Sequence, residues 1–554
     1  MSDFQYRAVF SAQNATFASL LDKTTGATLA GIGSILLLEL AAILAATGGH
    51  LAYVIEAPYV HLTLAEQILH GHYGLTPEEA AAPSSTILYP FLLAALAPLR
   101  LGAALPLTIN IAATLGAGVA ALLLADECGL PLRNLAPARI FALAASVTLA
   151  LNLAGLAFTG LEHSLHVFCS ILYLLGLARF VQRGRCDWWW FLCIIIQPLI
   201  RFEGAGLLLA DILIFVYFRR VDYALAVLAI GIGLVGAYSL FLHRLGLPLL
   251  PSSVLSRSEW SNAAVAEQSG AFAVLNAVAR NFYRNLNSFG STQILGAVAL
   301  AWLWLGARLI RERLIGNVRQ DRIRFMLVFF LAFVSLAQLA GGTVGWAPPR
   351  YEAYVLAIDL CALAVIFGDA VSAWCSKASW LRIGFSASAL LLIFGGYATQ
   401  TLVAPAMARA EYLGPLQLRR FVTDFYRAPV ATDQLGDVNF DNPHYVLDLS
   451  GLSTEAVRQA RAAERSAEWM DGFLADRGID LAIVNSADTP SVPAAWSEVA
   501  ELRVAASRAA NRILFYSRRP EAAAAISAAL AGFADTLPQG DRLIWANAAS
   551  QGGR

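Results

Sequence analysis

Eleven stretches of almost uninterrupted apolar residues dominate this chain, and each must be buried in protein or dissolved in lipid. Eight approach the roughly 20 residues that a helix needs to cross about 30 Å of hydrocarbon: 27 to 47, 105 to 125, 140 to 158, 223 to 243, 293 to 310, 325 to 341, 351 to 372 and 383 to 403. Shorter ones lie at 164 to 178, 188 to 200 and 204 to 218. In 554 residues this excludes a string of soluble domains, and only 14 % of the chain is charged where about 25 % is usual. Lys plus Arg and Asp plus Glu each number 39, which leaves no polybasic body for nucleic acid. The expected fold is mainly α, a polytopic membrane protein of about 11 transmembrane helices with a C-terminal soluble α/β domain. The first span starts too far into the chain and is too long for a cleaved signal, and reads as an anchor.

Sidedness follows from where Arg and Lys concentrate, because cationic loops are retained in the cytoplasm. Arg133 and Arg139, Arg179, Arg183 and Arg185, Arg219 and Arg220, the run from Arg308 to Arg324, and Lys377 with Arg382 mark inner loops. The N-terminal tail, residues 1–26 with Arg7 and Lys23, joins them inside. Residues 48–99 hold no Lys or Arg but carry Glu56, Glu66, Glu78 and Glu79, which places that loop outside. Within it, 86 to 99 is short and interrupted by Pro90 and Pro98, so it reads as an interfacial or re-entrant piece. Cysteines agree with this map: all six fall in inner loops or spans, as an oxidising outer compartment would favour. The domain plan is a membrane part over 27–404 with outer loops 48–104 and 244–292, then a periplasmic α/β domain over 405–540, then a disordered tail over 541–554.

In that last domain, Tyr445 to Leu449, Leu481 to Asn485 and Arg512 to Ser517 have strand character. A helical stretch runs from Ser453 through Trp469 and Phe473 to Gly478, and another is expected over 520–533. A passive lid or scaffold is the plain reading of this domain.

Four polar departures interrupt the apolar background, all on the outer face: Glu56; Glu162 with His163; Arg201 with Glu203; and Arg350 with Glu352. Each also has an ordinary reading, since a glutamate at a helix start partners the dipole, an arginine at a span end snorkels, and Arg-x-Glu makes ion pairs. Their convergence on one side, beside an acidic loop, favours a site. Arginine binds phosphate bidentately, and a neighbouring carboxylate can take a proton from an attacking hydroxyl. Together these suit displacement at a sugar carbon with a lipid phosphate leaving.

These residues also resemble those of the GT-C superfamily of multi-span glycosyltransferases, in the branch that includes the mycobacterial arabinofuranosyltransferases. The likeness runs over residues 25 to 490. It rests on Glu56 to Ile68 followed by Gly71 and Gly74, Ala82 to Thr86 with Tyr89 and Pro90, Gly160 to Glu162, Arg201 to Gly204, Pro251 to Arg257, Arg350 to Glu352, Gly436 to Asn439 and Val446 to Leu452. Two positions depart from the family pattern: Ala57 replaces a second acid, and Thr63 an arginine.

The resemblance implies an inverting transferase that takes sugar from a polyprenyl-phosphate donor and passes it to a periplasmic glycan or glycolipid. Glu56 is its expected general base, with His61, Glu66 or Glu162 as candidates to share that role. Arg201, Arg257 and Arg350 are expected to hold the donor phosphate. Tyr59, His61, Glu162, His163, Glu203, Tyr351 and Glu352 would contact substrate. With one acid in place of two, no metal or other cofactor is expected. The setting implied is the bacterial inner membrane, N-terminus inside and C-terminal domain in the periplasm. The rival readings are a lipid-linked glycan transporter or flippase, which would call for repeated halves and midplane charges, and a noncatalytic membrane scaffold.

Overall fold

The computed structural model describes residues 22–257, 270–315, 322–463, 466–505 and 512–546. Arg7 and Arg319 lie outside them. The chain is a polytopic helical membrane protein carrying an α/β module. It divides into two compact units: residues 1–41, 107–235 and 275–402, and residues 42–106, 236–274 and 403–554.

Every apolar stretch read from the sequence is helical, but not all have crossing length. Six helices are long and apolar enough: Lys23–Ala46, Gly102–Glu127, His163–Arg183, Val221–Arg244, Ser291–Arg311 and Arg322–Gly341. Two bent pairs, Ala353–Ile366 with Gly368–Ser376 at 76° and Trp380–Ile393 with Gly395–Tyr426 at 82°, bring the number to eight. The expected eleven full crossings are reduced because three helices are short: Pro137–Ala150 with 14 residues, and Trp188–Ile200 and Ala205–Tyr217 with 13 each. The stretch read as a single span over 140–158 breaks after Ala150, where Asn152 takes a left-handed conformation at φ 55°.

In the first unit, His163–Arg183 stops at Gly184, which adopts φ 68°, a helix end that favours glycine. The chain then folds back as Trp188–Ile200. Gly176 lies against Trp190 so closely that a Cβ would collide with the indole. Ser170 Oγ donates to Gln197 Oε1 at 3.5 Å further along the same seam, so the pair is antiparallel. Around it Tyr173, Phe180, Phe215 and Phe330 build one apolar core.

Charges collect at the two ends of this unit. At one end Glu127 pairs with Arg179 (3.1 Å) and Arg183 (2.6 Å), Arg133 with Asp126 (2.7 Å) and Asp22 (2.5 Å), and Arg324 with Asp369 (2.9 Å). The arginines of these pairs are among those that the sequence assigned to inner loops. Glu162 stands at the opposite end of His163–Arg183, about 30 Å away at 1.5 Å per residue.

The second unit centres on a six-stranded sheet of order β2-β1-β3-β5-β4-β6. Its strands are β1 Val430–Thr432, β2 Val446–Asp448, β3 Leu481–Asn485, β4 Ser497–Arg503, β5 Ile513–Ser517 and β6 Arg542–Trp545. β1 runs parallel to β2 and β3, and the remaining pairings are antiparallel. Alternation along each strand sends side chains to both faces. Val430, Ile483 and Phe515 join Phe421, Ile526 and Phe533 in one layer, while Ala431, Ala482 and Leu514 join Val457 and Leu474 in the other.

Three of these strands, β2, β3 and β5, stand where the sequence put them. The tail expected to be disordered from 541 instead supplies β6, which pairs with β4 from Ala500 to Arg503. Backbone pairing at that edge of the sheet outweighs a weak local signal. Residues 547–554 lie outside the described residues. The helix expected from Ser453 to Gly478 is two helices, Glu455–Ala463 and Trp469–Asp476. Within residues 48–104, Ala57–Leu69 and Leu88–Leu96 are helical.

Gly176→Ala should drive a methyl into the Trp190 ring and destabilise the first unit by about 1–3 kcal/mol, as overpacking does. The check is the thermal midpoint of the detergent-solubilised protein, which should fall; an unchanged midpoint would mean that these two helices pack differently.

Candidate functional site

Three of the four polar departures meet inside the first unit. Pro198 disturbs the end of Trp188–Ile200, and Arg201 leaves it in extended conformation at φ −152°. Gly204 closes the turn, because a Cβ there would press within 2.5 Å of the Gln197 carbonyl. This corner carries Arg201 inward, where it is 3 % exposed. Its Nη1 donates to Glu162 Oε1 at 2.5 Å, and its Nε and Nη2 donate to the two oxygens of Glu203 at 3.1 and 3.0 Å.

Tyr351 lies between two cations, its ring centre 4.7 Å from the guanidinium carbon of Arg201 and 4.7 Å from that of Arg350. His163 meets the edge of the same ring at 5.3 Å. Arg350 Nη1 also donates to the Pro348 carbonyl at 2.9 Å.

Burial would raise the Glu203 carboxyl, but the charge and paired hydrogen bonds of Arg201 hold it below the ordinary carboxylate range. Glu352 is not bonded to Arg350; its Oε1 accepts from Tyr397 at 2.8 Å and from the Gly345 amide at 3.1 Å, and burial raises its proton affinity. So Arg201–Glu203 is an ion pair, whereas Glu352 fixes the backbone before Ala353–Ile366. Three further members carry no signal in the sequence: Tyr397; His166, stacked on Tyr354 at 4.1 Å; and Gln338, which accepts from the Tyr354 hydroxyl at 2.9 Å.

The fourth departure, Glu56, belongs to the second unit, at the start of Ala57–Leu69. Its Oε2 accepts the Gly436 amide at 3.0 Å. Gly436 is glycine for a reason of space, since a Cβ there would collide with the Glu56 carbonyl oxygen. Among the described residues Glu56 Oε1 has no hydrogen-bond partner, and the residue is partly exposed.

Next to Gly436 stands Asp437, fully buried against Glu411. Burial, then the facing Glu411 charge, lift the Asp437 carboxyl well above its usual range. Burial and the same Glu411 charge push Glu56 up to about 8 against the lowering effect of the Gly436 amide, with Asp433 and Asp448 adding to the rise. Neither Glu411 nor the role of Asp437 was visible beforehand: Glu411 ends an apolar helix with no motif around it.

Other expected residues of this unit are structural in their contacts. Tyr59, 2 % exposed, is held between Tyr53 and Phe440, and His61 lies edge-on to Tyr89. Arg257 ends the helix Ser252–Arg257, whose first residue donates from Oγ to the carbonyls of Ala82 (3.1 Å) and Leu452 (2.7 Å); the Arg257 side chain lies outside the described residues. Glu79 ties the first loop to the sheet domain through Arg477 (2.6 Å), Tyr445 (2.9 Å) and Thr454 (2.9 Å). Among the described residues no group of three or more His, Cys, Asp or Glu is arranged to hold a metal ion.

Residues 403–516 match a family model described as a domain of unknown function, DUF8728. Comparison with curated proteins finds no match. Among solved structures, the chain is similar to ArnT from Cupriavidus metallidurans in the apo state, with 12 % identity, a TM-score of 0.46, and coverage of 88 % of this chain and 97 % of that one. The same protein bound to undecaprenyl phosphate gives 12 %, 0.44, 88 % and 97 %. The Archaeoglobus fulgidus oligosaccharyltransferase in the apo form gives 11 %, 0.41, 91 % and 78 %.

Removing Arg201 would strand Glu162 and Glu203 without their cation. Arg201→Leu should therefore cost about 3–5 kcal/mol, the usual effect of breaking a buried ion pair from one side. Arg201→Leu combined with Glu203→Leu should recover part of the lost thermal midpoint; no recovery would show that the pair is not coupled.

Proposed function

We propose that this protein is an inverting glycosyltransferase of the bacterial inner membrane, moving a sugar from a polyprenyl-phosphate donor to a glycan or glycolipid acceptor in the periplasm. The observation that carries the reading is the state of Glu56. One carboxylate oxygen is fixed by the Gly436 amide, and the other has no hydrogen-bond partner among the described residues. A general base needs that combination of orientation and an available lone pair, together with a proton affinity near the working pH. Burial, with the Glu411 charge added to it, supplies the last requirement.

The acceptor hydroxyl would lose its proton to Glu56 Oε1 as its oxygen attacks the anomeric carbon, and the donor phosphate would leave with the electrons of the broken bond. Arg257 is assigned to that phosphate, whose growing charge a guanidinium stabilises, while Arg350 is assigned to the framework around Tyr351. Arg201 is assigned a positioning role in place of the expected phosphate contact, because Glu162 and Glu203 already neutralise it while it braces Tyr351. His163 and Glu352 support that framework, and Tyr59 and His61 hold the helix that Glu56 begins. No step calls on a metal ion.

Transfer assayed in membranes should rise with pH through about 8, as Glu56 loses its proton. Glu56→Gln should lower the rate by about 10²–10⁴-fold, the usual worth of a general base, and remove that rise. Undiminished transfer by Glu56→Gln would end its assignment as base, and sensitivity to EDTA would overturn metal independence. Stability carries the opposite sign. The Glu56 proton is bound more tightly in the folded state than at the ordinary 4.5, so its stabilising contribution, full at low pH, is lost as pH rises through about 8; pH-dependent melting of Glu56→Gln against the parent checks this.

A further inference from the structure

A second feature of the same unit has no part in the chemistry above. The face of Ala57–Leu69 carrying Thr63, Glu66 and Gln67 forms one wall of a polar groove of about 360 Å³, and Glu78, Asp441 and His444 border it from the facing loops. The spacing of residues 63, 66 and 67 puts all three on one side of the helix.

Thr63 is 2 % exposed, yet its hydroxyl has no hydrogen-bond partner. A buried hydroxyl left in that state is costly unless something outside the chain completes it. Among the described residues, the side chains of Glu66, Gln67 and Glu78 likewise have no hydrogen-bond partner. Asp441 pairs with Arg419 at 3.7 Å; Arg419 and Arg100 border the adjoining groove, which Glu66 and Asp441 also line.

The lining therefore offers a hydroxyl and an amide, each able to donate and accept, beside three carboxylates that only accept. Vicinal sugar hydroxyls, which donate and accept at once, complement that set, and an amine in place of a hydroxyl adds a charge-assisted bond. A phosphate or carboxylate on the sugar would face Glu66 and Glu78, unpaired among the described residues, beside a single imidazole, with Asp441 already paired to Arg419, and would be repelled. Tyr445, Leu75 and Pro77 add apolar surface to the lining, against which the C–H face of a pyranose can pack.

We infer that this groove binds a saccharide free of anionic groups, neutral or amino-bearing, as the acceptor side of the transfer. The inference rests on the transferase reading for its role, but not for the binding itself. The test uses the full chain in nanodiscs, with saturation-transfer NMR and calorimetric titration of methyl glucoside, glucosamine and glucose 6-phosphate. The first two should bind, glucosamine more tightly, and glucose 6-phosphate should not. Thr63→Val should weaken both binders about tenfold, the worth of one hydrogen bond left unmade. Glu66→Gln with Glu78→Gln should abolish the preference for glucosamine while methyl glucoside still binds, which also shows that the variant is folded. Binding of glucose 6-phosphate as tight as that of methyl glucoside, or titrations unchanged in both variants, would overturn the inference. Sugar binding in a protein that transfers nothing would instead sink the transferase reading and leave the groove standing, whereas normal transfer to an anionic acceptor would do the reverse.

Discussion

The first unit depends on one arrangement, the Arg201 guanidinium enclosed by Glu162 and Glu203. A charge buried at the ends of apolar helices is costly unless hydrogen bonds and a counter-charge complete it. Here three donors of a single guanidinium meet carboxylates carried by two different turns, so the start of His163–Arg183 is bound to the corner that follows Trp188–Ile200. Tyr351 extends the constraint to a third segment through its ring face. The geometry of the cluster is thus set by electrostatics that lipid and apolar packing strengthen, because neither offers a competing solvent.

The second unit solves a different problem. Around Glu56 acids are placed near one another: Asp437 faces Glu411, and Glu56 accepts the amide of Gly436 beside it. Carboxyls crowded in this way retain protons to pH values at which isolated ones have lost them. In one unit a carboxylate is held ionised by arginine, and in the other a carboxyl is kept ready to take up a proton. Environment alone separates the two behaviours, since the residue type is the same.

Much of this was readable in the chain and some was not. Arginine placement identified the residues that pair at one end of the first unit, among them Arg133, Arg179, Arg183 and Arg324, because charge is excluded from the apolar middle. Strands β2, β3 and β5 were visible as apolar runs, whereas β1 has three residues and β6 lies in a stretch with little signal. Arg201 and its pairing with Glu203 are legible as Arg-x-Glu, but not the bond from the same guanidinium to Glu162. Glu411 was overlooked entirely, because an acid at the end of a helix reads as ordinary solvation until another acid is found against it.

Sequence by itself determined the position of the apolar stretches, the segregation of charge to their ends, and the change to an α/β module from about residue 405. Those follow from hydropathy and periodicity, which are properties of neighbours along the chain. Tertiary structure alone decided which carboxylates are held by arginine and which by each other, and why Gly436 admits no side chain. Such facts depend on groups hundreds of residues apart, as with Glu56 and Gly436, and local sequence carries no record of the distance between them once the chain has folded.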